Sequence, residues 1–189
     1  GYRRKAESTK KKSKHNGHYD TPKELGKKWQ MDVKYVPSAC YAGEDGEKFY
    51  QYTMLEEASR KRFIYAYRET GGYSTCDFVK RAIIWFGYAP DTIQTDNGGE
   101  FTHTKKTKRI HPFDSLCAEL HITHKLIRPR TPWHNGKVER SHRNDQEPFY
   151  NHLSFYSYED LQIQMKRYLY RSNNIPMAVL GWKSPNQKQ

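Results

Sequence analysis

Alternating and helical hydrophobic patterns divide this chain into five strand-like and four helix-like stretches. Residues 29–37 (W-Q-M-D-V-K-Y-V-P) alternate, with Met31, Val33 and Tyr35 on one face and Asp32 on the other beside Lys34. Residues 49–55 and 62–68 are aromatic-rich strand candidates joined by a short polar link, and three strands so connected predict an antiparallel meander. After Gly71-Gly72 the period becomes helical over 74–86, with Phe78, Val79, Ala82, Ile83 and Phe86 on one side. Ser74 or Thr75 is the expected N-cap and Gly87 the stop. A short strand at 92–95 follows, and the preceding helix is long enough to act as a crossover, which makes this strand parallel to an earlier one. A turn at 96–101, a short helix at 112–120 and a strand at 122–127 come next. The loop 128–136 feeds a helix that stops before Pro148. Ser157–Asp160 reads as a capping box opening a helix to about Tyr170, with Leu161, Met165, Tyr168 and Leu169 inward.

Composition narrows the function. In 189 residues there is room for one domain with a real core. Lys and Arg outnumber Asp and Glu by 33 to 21, and a net charge of +12 points to a polyanionic partner, with nucleic acid as the default. A membrane is the weaker reading, because no apolar run is long enough to span one and no signal peptide is visible. Cys40, Cys76 and Cys117 stand far apart, which suggests reduced thiols of a cytosolic protein and neither a disulfide frame nor a zinc knuckle. Residues 1–28 are basic and without period, and read as a flexible arm whose cations either contact phosphate or keep the protein soluble. Residues 29–172 then form the ordered core and 173–189 an extension, and the start at Gly1 suggests a piece of something longer. Thr102–Arg109 is an exposed basic insertion, and His121 and His124 read as structural or surface histidines.

Three acids stand out by placement. Asp32 is mid-strand, Asp96 ends a strand at a Gly-rich turn, and Glu139 opens a helix within P-R-T-P-W-H-N-G-K-V-E-R-S-H-R, surrounded by Arg130, Lys137, Arg140 and Arg143. Each has an ordinary reading: a surface pair with Lys34, a turn-former, and a salt-bridged helix face. If the first and fourth strands are neighbours, however, Asp32 and Asp96 lie side by side and Glu139 can be brought over them. Three carboxylates without cysteine prefer a hard cation such as Mg²⁺ or Mn²⁺, and two such ions suit phosphodiester chemistry.

W-Q-M-D-V-K-Y-V, I-Q-T-D-N-G-G-E-F and H-N-G-K-V-E-R-S-H-R resemble the three signature blocks of the DDE integrase/transposase catalytic core, and the wording is most similar to bacterial insertion-sequence transposases. R-E-T-G at 68–71 and R-S-N-N-I-P…L-G-W-K-S-P at 171–185 fit the same pattern, so the resemblance covers roughly Trp29 to Pro185. It implies an α/β, RNase H-like fold: a five-stranded mixed sheet of order 3-2-1-4-5 with helices on both faces. It implies a catalytic and metal-binding triad of Asp32, Asp96 and Glu139 that holds two Mg²⁺ or Mn²⁺ ions. The implied reaction is hydrolysis of DNA ends followed by strand transfer of the 3′-hydroxyl into target DNA. Implied DNA contacts are Arg130, His134, Asn135, Gly136, Lys137, Arg140 and Arg143, with Trp133 as a stacking or packing residue. The implied setting is a bacterial cytoplasm, on the nucleoid, as a homodimer or larger assembly on double-stranded DNA, with an end-binding module ahead of the core. Two other readings stay open: an RNase H-like nuclease without strand transfer, and a DNA-binding module without catalysis. The interval from Asp96 to Glu139 is longer than usual for retroviral-type cores, and the basic insertion accounts for most of the excess. Glu56-Glu57 is given no catalytic role.

Overall fold

A computed structural model describes residues 21–128 and 135–188. Five strands, β1 (Lys28–Tyr35), β2 (Tyr50–Glu56), β3 (Arg62–Tyr67), β4 (Thr92–Thr95) and β5 (Thr123–Leu126), form one mixed sheet in the order β3-β2-β1-β4-β5. β1 pairs antiparallel with β2, and β2 with β3, whereas β1 with β4 and β4 with β5 run parallel. This is the meander followed by a crossover that the alternation predicts. The helices are α1 (Gly72–Phe86), α2 (Pro112–Glu119), α3 (Gly136–Asn144), α4 (Tyr158–Asn173) and the short α5 (Pro185–Lys188).

The two faces of the sheet differ in chemistry. Trp29 is stacked on Phe86 of α1 at 4.4 Å between ring centres. Register puts Met31, Val33, Tyr52, Met54 and Ile93 on the same face as Trp29, and Phe78 of α1 packs on Tyr52 and Phe63 there. The opposite face carries Gln30, Asp32, Lys34, Gln51, Thr53 and Gln94, a mostly polar layer over which α3 lies, with the Val138 amide donating to Gln30 Oε1 at 3.0 Å. The aromatic core therefore holds the sheet from one side, and directed hydrogen bonds hold α3 on the other.

Helix ends follow from local chemistry, with one departure. Gly87 adopts the left-handed conformation (φ 82°) and its amide donates to Ile83 O, closing α1 as expected. At the other end, Gly71 is the N-cap and makes no side-chain cap, because Ser74 and Thr75 are drawn into the core, where the Thr75 hydroxyl donates to Glu100 O at 2.9 Å. Ser157 caps α4 by accepting from the Asp160 amide, and the Asp160 carboxylate in turn accepts from the amide of Tyr156.

α4 also solves an edge problem. The outer backbone groups of β3 lack a strand partner, and two amide side chains of α4 take that place: Gln162 serves both N and O of Ala66, and Asn173 both N and O of Arg62. The last turn of α4, beyond Tyr170, is thus needed by the sheet. No helix among the described residues is long and apolar enough to cross a membrane.

Candidate active site

β1 and β4 position two of the three acids. Gln30 pairs with Gln94 in the parallel ladder, so two residues further on Asp32 and Asp96 emerge side by side on the α3 face, Asp32 within β1 and Asp96 just past the end of β4. Asp32 Oδ1 accepts from the amide of Val33 at 2.9 Å. Asp96 folds into the turn, with Oδ1 accepting from the Gly98 amide at 2.9 Å, while Asn97 Nδ2 donates to Ile127 O and ties that turn to the end of β5. Glu139 stands in the first turn of α3, where a carboxylate is favoured by the helix dipole.

Two buried ionic anchors set α3 against β1–β3. Before β3, Glu57 is fully buried and paired with Lys28 and Lys137, and also accepts from Gln30 Nε2 at 2.8 Å. After α3, Asp145, likewise fully buried, pairs with Arg62 at 2.6 Å and accepts from Tyr168 Oη and Gln51 Nε2. Between the anchors, Val138 and His142 face the sheet, and His142 bridges two strands. Its Nε2 is 2.8 Å from Thr53 Oγ1 and its Nδ1 is 3.3 Å from Asp32 Oδ2. The ammonium of Lys34 reaches His142 O at 3.5 Å and lies 4.0 Å from the centre of the Tyr150 ring.

Mutual repulsion marks the acids as one electrostatic group. Burial first, and then the charges of Asp32 and Asp96, push the carboxyl of Glu139 above the usual glutamate range, against the pull of His142 and Arg143. Asp96 is raised by burial and then by Asp32, with the Gly98 amide opposing. Glu100 is raised by burial and then by Asp96 and Asp32. Its carboxylate lies over Gly98, where an added Cβ would come within 2.7 Å of Oε2. Among the described residues, no three His, Cys, Asp or Glu side chains are gathered tightly enough to hold a metal ion as they stand. The donor set nevertheless fits a hard divalent cation: the charge of Asp32 raises the proton affinity of Asp96, and the charges of Asp32 and Asp96 raise that of Glu139, a repulsion that such an ion relieves.

Of the expected DNA contacts, Arg140 and Arg143 are exposed on α3. Lys137 has a different occupation, its Nζ being bonded to Glu57 and to Thr21 Oγ1. Asn135 is buried and donates to Met31 O, and Gly136 is half-buried with open space about its Cα. Arg130, Trp133 and His134, and the basic arm through residue 20, lie outside the described residues. His124 takes the structural of the two expected roles, with Nδ1 2.6 Å from Asp114 Oδ1 and Nε2 2.9 Å from Thr95 Oγ1. Sequence reasoning missed Glu57, Glu100, His142 and Asp145. Glu100 and His142 had a visible signal, each lying inside a quoted motif, Glu100 four residues past Asp96 and His142 three past Glu139.

The site therefore sits on a five-stranded mixed sheet of order β3-β2-β1-β4-β5, with acids on neighbouring parallel strands and on a helix over them. Integrase core domain models match residues 22–132 and 120–185, and the chain belongs to that family. It is 30% identical over 169 residues to the "Putative integrase ORF3" of Spiroplasma virus SpV1-C74, covering 85% of this chain and 46% of that protein. It is 29% identical over 117 residues to the Gag-Pro-Pol polyprotein of Sheep pulmonary adenomatosis virus, covering 61% of this chain and 6% of that one. The chain thus spans under half the length of these curated relatives. Among solved structures, it matches the HTLV-2 integrase catalytic core domain in complex with magnesium with a TM-score of 0.62 at 19% identity, covering 86% of this chain and 95% of that one. It also matches a chain of the simian T-cell lymphotropic virus intasome bound to the PP2A regulatory subunit B56 gamma, with a TM-score of 0.68 at 18% identity over 90% and 56%. At these identities the two structures establish the fold, which is RNase H-like as the resemblance implied.

Proposed function

We propose that this chain is the catalytic core of a DNA integrase or transposase, with Asp32, Asp96 and Glu139 as its catalytic and metal-holding residues. The observation that carries this is the convergence of the three acids, from two parallel strands and one helix, in a member of the integrase core family. These three carboxylates would hold two Mg²⁺ or Mn²⁺ ions, which would supply activation of the attacking oxygen and stabilisation of the leaving one. In the first step, water forms a new bond to phosphorus at the element end and the P–O3′ bond breaks, leaving a free 3′-hydroxyl. In the second, that hydroxyl oxygen bonds to a target phosphorus and displaces the target's own 3′-oxygen.

The chain's residues hold the scene in place. Asp32 and Asp96 are fixed by backbone amides, and Glu139 rides on a helix clamped at both ends. Arg140 and Arg143 project beside Glu139 for phosphate contact, and Gly136 leaves room for a strand to approach. A chain of net charge +12 takes double-stranded DNA as its partner, and joining two element ends requires a dimer or larger assembly. The test is to incubate the protein with pre-processed DNA ends and a plasmid target in Mn²⁺, beside Glu139→Gln. Joined products that vanish in the variant support this reading. Cleavage without joining, equally dependent on Glu139, replaces it with a nuclease, and DNA binding with neither activity replaces it with a binding module.

A further inference from the structure

Of the polar groups under α3, His142 is the one whose protonation pattern the surrounding bonds dictate. The deduction starts at Asp145, which is ion-paired to Arg62 at 2.6 Å and therefore acts only as an acceptor. The Gln51 side-chain atom facing it at 3.2 Å must be the amide nitrogen, and the Tyr150 hydroxyl then donates to Gln51 Oε1. That same nitrogen donates to Thr53 Oγ1 at 2.9 Å. Thr53 receives that hydrogen and has one of its own to give, and the acceptor in reach is His142 Nε2 at 2.8 Å. An imidazole that accepts at Nε2 carries its proton on Nδ1, the atom 3.3 Å from Asp32 Oδ2.

Each link lies within the α3 face of the sheet. Thr53 is the cross-strand partner of Asp32, and Gln51 that of Lys34, so His142 spans one rung of the β1–β2 ladder. It is buried, and it belongs to the helix that bears Glu139, three residues earlier. Asp32 has one oxygen on the Val33 amide and the other beside this imidazole.

We propose that His142 is a positioning residue for Asp32: its Nδ1–H holds the Asp32 carboxylate in the orientation that receives a divalent cation, and the Arg62–Asp145–Gln51–Thr53 relay sets the tautomer that makes this possible. The proposal rests on the reading of Asp32 as a metal-holding residue. It adds that the first acid is oriented from the helix of the third, so that the two are set together. Hydrogen-bonded partners of metal-binding carboxylates are worth about 10–100-fold in metal affinity or activity.

The test has a part that needs neither metal nor DNA. In metal-free protein with ¹⁵N-labelled histidine, long-range ¹H–¹⁵N spectra report which nitrogen of each ring is protonated, and the His142 signal is identified by its disappearance in His142→Asn. The expected result is an Nδ1–H tautomer that mixes with Nε2–H in Gln51→Met. Next, Mn²⁺ affinity is titrated by water proton relaxation. The amide nitrogen of Asn falls where Nδ1 stood, whereas that of Gln falls where Nε2 stood. His142→Asn should therefore bind Mn²⁺ at least about tenfold more tightly than His142→Gln. An Nε2–H tautomer in the wild type overturns the proposal, as does equal Mn²⁺ binding by the Asn and Gln variants. Asp32→Asn separates the two readings. If it binds Mn²⁺ and joins DNA like the wild type, the reading of the triad fails, whereas loss in Asp32→Asn alongside equal Asn and Gln variants overturns only the role of His142.

Discussion

Lys137 carries the sharpest prediction, because its sequence setting and its structural setting assign it different work. Among so many cations before and after Glu139 it looks like a phosphate contact, yet its ammonium is bonded to Glu57, whose side chain is fully buried. The perturbation is Lys137→Ala. Removing one partner of a buried pair costs roughly 3–5 kcal/mol when it strands the other charge. Here Lys28 at 3.4 Å and Gln30 Nε2 at 2.8 Å stay on Glu57, so the loss is closer to one charge-assisted hydrogen bond, about 2 kcal/mol. In a domain of this size that lowers the melting midpoint by roughly 4–8 °C. The assay pairs urea denaturation with DNA affinity measured across salt concentrations. We expect a lower urea midpoint and an unchanged slope of log affinity against log salt. A double-mutant cycle with Glu57→Gln should give a coupling of about 1 kcal/mol or more. The reasoning is refuted if Lys137→Ala unfolds like the wild type while the salt slope falls by about one phosphate contact, roughly 0.9.

Three further outcomes follow from the same structure. Asp96, Glu100 and Glu139 all have carboxyls raised in the folded state, so the folded state binds more protons than the unfolded one and stability falls as pH rises through their folded values. The metal-free protein should therefore melt lower at pH 7 than at pH 5 in this component, and Glu139→Gln should flatten the difference in a thermal melt. Burial pushes the Cys117 thiol up to about 12 and also raises Cys40 and Cys76, so iodoacetamide at pH 8 should label the native protein slowly and the urea-unfolded protein fast, as read by mass spectrometry. Gly87→Ala meets no atom within 4 Å, so its cost is the left-handed backbone alone, about 1–2 kcal/mol in urea denaturation.

The sheet and α1 were legible because their signals are local. Alternation around Asp32, a helical period from Phe78 to Phe86 and a glycine at the helix end each report their structure within a few residues. The placement of Asp32 beside Asp96 was legible only conditionally, since it needs β1 and β4 to be neighbours. What stayed hidden is the support of the site. Gln51 bonds Asp145 across 94 positions and Arg62 bonds Ser141 across 79, and nothing in the chain near one member of such a pair announces the other. Ser74 and Thr75 misled for a related reason: a hydroxyl good for capping is equally good for closing a gap in the core, and Thr75 was claimed by Glu100 O. Glu57 read as an idle acid because a buried charge and a solvated one are spelled alike.

Fastening α3 at both ends has a consequence for how such cores are recognised. Forty-two residues separate Asp96 from Glu139, including the basic stretch from Thr102 to Arg109. The partners that seat α3, Glu57 for Lys137, Asp32 for His142 and Arg62 for Asp145, all lie outside that interval and earlier in the chain than β4. Counting residues between the second and third acids therefore measures the detour the chain takes and leaves out the distance it arrives at. Loops can lengthen there without moving Glu139, whereas a neutralised Glu57 or Arg62 displaces it at constant spacing. Searches for distant members of this family will discriminate better on the pairs that seat the helix than on the interval that precedes it.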